Sequence, residues 1–116
     1  MTTTVPNTSP KRILVDKATD YLNAYYTEKF SLQRLADALF VNKHYLARTF
    51  REITGTTPLH YHNQLRCECA EDLLLHSDYP ISVIAFKSGF TSASHFTRIF
   101  RYYKGCSPSA FRKTRG

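Results

Sequence analysis

The sequence has little of what marks membrane, secreted or disulfide-stabilised proteins. Its 116 residues include no tryptophan, one methionine, four glycines and three cysteines, and no uninterrupted apolar run exceeds four residues. Runs of that length cannot span a bilayer, and the N-terminus lacks the apolar stretch of a secretory signal. Three cysteines are an odd number without the spacing of a disulfide framework, which favours a reducing compartment. We therefore expect a soluble, cytoplasmic domain.

Signals for β-structure are also absent, whereas signals for helix starts recur. No Asn-Gly or Asp-Gly pair occurs and no segment alternates apolar with polar residues, so no hairpin is predicted. Hydroxyl residues directly precede proline three times, at Ser9-Pro10, Thr57-Pro58 and Ser107-Pro108. A hydroxyl caps the first amides of a helix, and proline at the first position lacks the N–H that would otherwise have no acceptor. Each pair therefore predicts the beginning of a helix.

Apolar periodicity and these boundaries predict an all-α fold of seven helices. The predicted spans are 10–26, 32–40, 43–54, 58–76, 81–88, 92–104 and 108–114. The buried stripe of the first helix is expected to contain Ile13, Lys17 (through its stem), Tyr21, Leu22 and Tyr25. The residues expected to end helices in the left-handed conformation are Gly55, Gly89 and Gly105.

The second half of the chain repeats the first at an offset of about 50 residues. Leu46–Arg51 aligns with Phe96–Arg101, and the glycine and proline residues that follow align as well. Each copy consists of a predicted short helix, a tight turn and a longer helix that ends at glycine, which is the layout of a helix-turn-helix unit. Because the glycines and prolines agree as well as the helices, we interpret the pattern as a duplication.

The longer helix of each copy is predicted to bury one stripe and to expose another that carries arginine. The buried stripes are Leu46, Phe50 and Ile53, then Phe96, Phe100 and Tyr103. The outward residues are His44, Arg48 and Arg51, then Ser94, Arg98 and Arg101. The predicted N-caps are Asn42 and either Thr91 or Ser92. An outward arginine can donate two hydrogen bonds to guanine, which is worth about 1–3 kcal/mol of discrimination.

The net positive charge and the segment that connects the two copies both favour binding to a long polyanion. The formal net charge is +7, and residues 77–116 carry seven basic side chains against one acidic. On two helix-turn-helix units, this excess predicts double-stranded DNA as the partner. Residues 58–76 contain neither glycine nor serine, and as a helix they would be about 28 Å long. Such a rod is expected to hold two reading helices one DNA turn, about 34 Å, apart.

Several segments resemble the DNA-binding domain of AraC/XylS-type bacterial transcription regulators. The resemblance covers about residues 11–113 and is most specific in the second copy. The residues that carry it are Ile81–Phe90, Phe96–Arg101, Gly105–Pro108 and Phe111-Arg112, with Tyr61, Leu65, Arg66, Ala70, Leu73 and Leu74 in the connecting helix. It implies tandem, homeodomain-like helix-turn-helix subdomains that read adjacent major grooves. The implied divisions are a flexible segment or linker at 1–10, subdomains at 11–56 and 78–116, and a long linker helix at 57–77.

The resemblance also implies a set of DNA-contacting side chains. Its base-reading positions fall on His44, Ala47 and Arg48 in the first unit, and on Ala93, Ser94, His95, Thr97 and Arg98 in the second. Outward position and charge add four predicted phosphate contacts, namely Lys43, Arg51, Arg101 and Lys104. The two alanines offer no hydrogen bond and are limited to apolar contact, for example with a thymine methyl. The implied function is transcription regulation, with activation expected, RNA polymerase as a further candidate partner, and the nucleoid of the bacterial cytoplasm as the location.

The spacing of other reactive residues favours no catalytic or metal site. His60 and His62, like Cys67 and Cys69, are two residues apart, so on a helix the members of each pair point in different directions. No phosphate loop, nucleophile elbow or His-Glu-x-x-His motif occurs, so no enzyme, metal or cofactor is expected. Two alternatives stay open. One is a helical protein-interaction module, and the other is a C-terminal fragment of a larger ligand-responsive regulator, because the effector or dimerisation domain usual in the family is absent. The chain itself is expected to be monomeric.

Overall fold

The computed structural model describes residues 9–115, which form seven helices and, over that range, no strand. The helices are α1 Pro10–Tyr25, α2 Leu32–Ala38, α3 Lys43–Thr54, α4 Pro58–His76, α5 Ile81–Lys87, α6 Ala93–Lys104 and α7 Pro108–Arg115. The all-α prediction is confirmed, and no helix end differs from its prediction by more than two residues. Across the described range, every helix is too short or too polar to cross a membrane. Most of the flexible segment predicted at 1–10 lies outside the described residues, but Ser9 and Pro10 belong to the start of α1.

The three hydroxyl–proline pairs begin α1, α4 and α7, as predicted. The hydroxyl oxygens of Ser9, Thr57 and Ser107 each accept a hydrogen bond, at 3.1 Å, from the amide three residues further along. These caps satisfy amides that have no acceptor inside the helix. Because each cap involves residues that are neighbours in sequence, these helix starts are local properties of the chain.

The predicted inner face of α1 is wrong. The residues that α1 buries are Val15, Ala18 and Leu22. Of the predicted stripe only Leu22 is buried, since Ile13 and Tyr25 are 43% and 46% exposed and Lys17 is exposed. Apolar side chains occur around much of this helix, so periodicity alone does not select the face. Helix α1 packs against α3, and a small residue on an inner face, such as the buried Ala18, permits a closer approach of a neighbouring helix than a stripe of large side chains would.

The turns of the two helix-turn-helix units share one backbone form. After α2 and again after α5, two consecutive amides donate back to carbonyls three and five residues earlier, which is a Schellman motif. The left-handed position of this motif holds Gly89 in the second unit, with φ +94°, and Phe40 in the first, with φ +60°. A left-handed residue cannot continue a helix, so α2 ends before Phe40 although its predicted span ran to residue 40.

We expect Phe40→Gly to stabilise the protein. A left-handed conformation costs a residue with a Cβ about 1–2 kcal/mol, and the Phe40 side chain, 93% exposed, recovers almost none of this by packing. Unfolding in urea should show a gain of about 1 kcal/mol for the glycine variant. Phe40→Ala removes the ring but keeps the Cβ, so it should leave the free energy of unfolding nearly unchanged. An equal gain in both variants would contradict the backbone explanation.

The described residues form two compact units, each with its own core. The first comprises the residues up to Tyr25 together with Phe30–His62, and the second comprises Tyr26–Lys29 and the residues from Asn63 onward. Buried apolar residues of the first unit include Leu35, Leu46 and Phe50. The core of the second consists of Cys67, Ala70, Leu74, Ile84, Ala85, Phe90, Phe96, Phe100 and Phe111. This division falls inside helix α4, and it assigns Tyr26–Lys29, the four residues that follow α1, to the second unit.

Candidate nucleic-acid interface

Helix α3 presents the outward surface of the first unit. It begins after the N-cap Asn42, whose side-chain oxygen accepts from the amides of His44 and Tyr45 at 2.8 and 3.2 Å. It ends at Gly55, which has φ +80°. The residues that α3 buries are Leu46, Thr49 and Phe50. Of the predicted DNA-contacting residues on this helix, the exposed ones are His44, Arg48 and Arg51, and the half-buried ones are Lys43 and Ala47.

Tyr45 adds to this surface a contact that the sequence analysis missed. The guanidinium carbon of Arg48 lies 5.8 Å from the centre of the Tyr45 ring, within the range of cation–π attraction. The two residues are three apart, so they are neighbours on a helix, and this spacing is the signal that could have identified the pair. Contact with the ring limits the conformations open to the guanidinium, so Arg48 would lose less conformational entropy on engaging a ligand.

Helix α6 presents the equivalent surface of the second unit. Its N-cap is Ser92, whose hydroxyl accepts from the amide of His95 at 3.1 Å, so of the two predicted caps the structure selects Ser92. Five residues on the outward side line one open concavity, namely Ala93, Ser94, Thr97, Arg98 and Arg101. The fold therefore brings together four of the predicted base-reading residues and one predicted phosphate contact.

His95 is not among the residues that line this concavity. Its ring is half-buried and meets the buried ring of Phe90 edge-on, with the ring centres 5.6 Å apart. Burial lowers the pKa of His95, and the positive charges of Arg98 and Arg66 lower it further. At pH 7 the imidazole is therefore neutral, and it offers one hydrogen-bond donor and one acceptor rather than a charge.

Comparison with known proteins identifies the family of this repeated unit. A family model described as a helix-turn-helix domain, of the AraC type, matches residues 35–114. The chain belongs to the AraC-type helix-turn-helix family. The transcriptional activator RhaS of Escherichia fergusonii is 37% identical over 95 residues, which cover 82% of this chain and 34% of RhaS.

Solved structures of related proteins agree with the AraC-type fold. The C-terminal domain of AraT, a response regulator from Geobacillus stearothermophilus, superposes with a TM-score of 0.87 at 30% identity, covering 92% of this chain and 89% of that one. The DNA-binding domain of AdpA, crystallised with a target DNA, superposes with a TM-score of 0.80 at 29% identity, covering 86% and 90%. The AraC-type chain spans only 34% to 47% of the length of the first curated relatives that it matches.

The side chains predicted to contact phosphate in this AraC-type domain differ in exposure and in whether they already form an ion pair. Arg51 and Arg101 are exposed at the end of their helices. Lys104 is half-buried, and its ammonium nitrogen lies 3.3 Å from a carboxylate oxygen of Glu71. A phosphate would have to share this ammonium with Glu71 or displace the carboxylate, so the two arginines are the more accessible cations.

Arg112 shows that part of the positive charge of the AraC-type domain serves the fold. Its guanidinium donates to the backbone carbonyls of Leu74, Ser77 and Tyr79 at 3.2, 3.0 and 2.8 Å. These carbonyls belong to the end of α4 and the segment that follows it, where the helix leaves its last carbonyls without internal donors. Arg112 therefore closes the end of α4, a role that the count of basic residues did not indicate.

Three of the four histidines and cysteines with suggestive spacing, His62, Cys67 and Cys69, serve in packing or in a hydrogen bond within the fold. His62 is buried, with its ring centre 5.3 Å from that of Phe30. Cys67 lies in the core of the second unit, and burial raises the pKa of its thiol to about 11. A hydrogen bond with Cys69 raises the pKa of Tyr26 to about 12. Among residues 9–115, no three His, Cys, Asp or Glu side chains are grouped so that they could hold a metal ion.

Proposed function

We propose that this AraC-type domain binds double-stranded DNA at a specific sequence, with α3 and α6 in adjacent major grooves. In this arrangement residues 11–56 and 78–116 are the docking subdomains, and residues 57–77 join them. The carrying observation is the repeated surface, in which two helices begin at a side-chain cap, end at a left-handed glycine and present arginines at matching outward positions. The related domain of AdpA, crystallised with a target DNA, supports the choice of partner.

Base reading is assigned to the outward and flanking residues in the first turns of the two helices. In the first unit these are His44, Ala47 and Arg48, and in the second they are Ala93, Ser94, His95, Thr97 and Arg98. Arginine supplies a bidentate donor for guanine, a hydroxyl both donates and accepts, and alanine offers only apolar contact. Because small side chains surround Arg98 in the concavity of α6, a base edge can approach the helix closely there.

Phosphate binding is assigned to four cations that flank these base-reading residues, namely Lys43, Arg51, Arg101 and Lys104. Such contacts provide affinity and orientation without reading sequence. Their exposure differs as described above, so the two arginines are expected to contribute more than Lys104, which is paired with Glu71.

We expect Arg101→Ala to weaken binding to all DNA sequences alike and to make it less dependent on salt. Each phosphate contact releases condensed counterions, so losing one should reduce the slope of log K against log salt by about 0.9. Titrations of a duplex at several salt concentrations measure this slope. Lys87→Ala is the matched control, because Lys87 is an exposed cation of the same unit that stacks on Tyr79, 5.0 Å from the ring centre, and lies outside the assigned set. An unchanged slope for Arg101→Ala would show that Arg101 does not contact phosphate.

Selection from a random DNA library tests the proposed function directly. We expect the recovered duplexes to share two short elements whose centres lie about 10 base pairs apart, because each helix reads one major groove. A footprint of the selected site should then extend over more than one helical turn. Protection shorter than one turn would show that only one unit docks, and recovery of no common sequence would contradict specific binding.

We propose further that the bound chain activates transcription as a monomer in the bacterial cytoplasm, at the nucleoid, through RNA polymerase. The name of the relative RhaS, a transcriptional activator, supports activation over repression. No catalytic step is assigned to the domain. Transcription in vitro from a promoter that carries the selected site should rise when the chain is added. Sedimentation of the DNA complex should give one chain per site, and two chains per site would contradict the monomer.

A further inference from the structure

Arg66 is buried in the second unit although it carries a positive charge. Only 7% of the residue is exposed. Its Nε and Nη2 atoms donate to the backbone carbonyls of Tyr26 and Glu28 at 3.2 and 3.3 Å. On its other side, the guanidinium carbon lies 4.9 Å from the centre of the Phe90 ring. These contacts offset the cost of taking the cation out of water, because the carbonyls accept hydrogen bonds and the ring attracts positive charge.

The ring of Phe90 connects Arg66 to the reading helix of the second unit. Phe90 is 2% exposed and lies two residues before Ser92, the N-cap of α6. Its ring centre is 5.1 Å from that of Phe96 and 5.6 Å from that of His95, both in the first turn of α6. The side chain that rests on Arg66 therefore also contacts the part of α6 that carries the predicted base-reading residues.

The segment that holds Arg66 also contacts the turn before α6. A Cβ built on Gly89 would lie 2.6 Å from Cα of Thr27, so the backbones of these two residues are already in close contact. The segment Tyr26–Lys29 is thus tied to the second unit at two points, by its carbonyls to Arg66 and by Thr27 to the turn. The segment Tyr26–Lys29 therefore contacts both Arg66 and the turn at Gly89 that precedes α6.

We propose that Arg66 is a positioning residue for DNA reading, which acts through Phe90 to set the first turn of α6. This inference rests on the proposed function, because it assigns the orientation of the surface that reads the second half of the site. A buried arginine that only stabilised the fold would affect unfolding but would leave sequence preference intact. The planar guanidinium matters in this role, since lysine cannot donate to two separated carbonyls while lying flat on a ring.

The test compares Arg66→Lys and Arg66→Met in the full chain with the wild type. The probes are the duplex recovered from the random library and two derivatives in which either half of the site is scrambled. We expect the variants to lose about tenfold in preference for the intact second half over its scrambled form, the size of effect seen for residues that act through packed neighbours. Preference for the first half should be unchanged. Arg66→Lys keeps the charge, so it provides a folded variant if Arg66→Met unfolds.

Arg112→Lys is the matched control in the same unit. Arg112 also donates to several backbone carbonyls, but these lie at residues 74–79 rather than in Tyr26–Lys29. We expect this variant to unfold more easily and to keep the wild-type preference for both halves. If Arg66→Lys behaves like Arg112→Lys, with lower stability and unchanged preference, Arg66 is not a positioning residue. If the wild-type chain shows no sequence preference, the proposed function fails instead, so the two failures are distinguishable.

A nuclear magnetic resonance titration of His95 gives an independent reading of how close the charge of Arg66 lies to the start of α6. Burial is the main cause of the lowered pKa of His95, and the charges of Arg98 and Arg66 lower it further. Arg66→Met should therefore raise that pKa, whereas Arg112→Lys should not. An unchanged pKa in a folded Arg66→Met variant would show that Arg66 lies too far from the first turn of α6 to set it, which would contradict the proposal.

Discussion

Arg98→Ala should cost about 1–3 kcal/mol of affinity for the selected DNA site, and the loss should be confined to one half of that site. Arg98 is exposed and lines the concavity on α6 with small neighbours on the same helix face. A bidentate contact with guanine is lost entirely when the guanidinium is removed. Competition binding with duplexes substituted at single base pairs measures the effect. Arg48→Ala should give the same pattern in the other half of the site.

Arg98→Lys separates base reading from charge. Lysine keeps the positive charge but not the planar pair of donors, so this variant should bind random DNA as the wild type does and should lose preference at one base pair. If Arg98→Ala weakens binding to random and selected DNA equally, Arg98 contacts phosphate rather than a base.

Gly89→Ala should lower the free energy of unfolding by about 3 kcal/mol, from the left-handed conformation and from overpacking together. At φ +94° any residue with a Cβ is strained, and here the added carbon would lie 2.6 Å from Cα and 2.8 Å from the carbonyl oxygen of Thr27. Both are backbone atoms, so they cannot move aside as a flexible side chain would. Unfolding by urea or heat measures the loss.

Gly105→Ala isolates the backbone contribution. Gly105 has φ +85°, and a Cβ built there meets no atom within 4 Å, so the expected loss is only about 1 kcal/mol. The difference between the two variants is then the cost of displacing Thr27. Equal losses of stability in Gly89→Ala and Gly105→Ala would show that Thr27 can move aside at little cost in free energy.

The sequence was most informative where structure depends on neighbours along the chain. The starts of α1, α4 and α7 each depend on one hydroxyl and one proline, and all three were predictable. The left-handed ends at Gly55 and Gly105 follow in the same way, because glycine adopts that conformation without strain. The outward face of α6 was also predictable, because the large aromatic residues Phe96 and Phe100, four apart on the helix, define the opposite, buried face.

Features that depend on distant parts of the chain were not predictable from the sequence. The inner face of α1 is decided by tertiary packing, and it includes a small residue, Ala18, that is fully buried. The roles of Arg66 and Arg112 require knowledge of which carbonyls lack donors, and those acceptors lie 33 to 40 residues away. Counting arginines as positive charge therefore overstated the charge available to DNA.

Because Tyr26–Lys29 belong to the second unit, they affect how a fragment of this protein would fold and the order in which the second unit can form during synthesis. A fragment that begins at Asn63 contains every helix residue of the second unit but lacks the carbonyls of Tyr26 and Glu28 that accept from Arg66. In such a fragment the guanidinium must either stay buried without those acceptors or return to water and expose Phe90, so the fragment is expected to be less cooperative in unfolding than its helix content suggests. During synthesis, the same segment leaves the ribosome long before its partners and stays unanchored until Arg66 and Gly89 have been made.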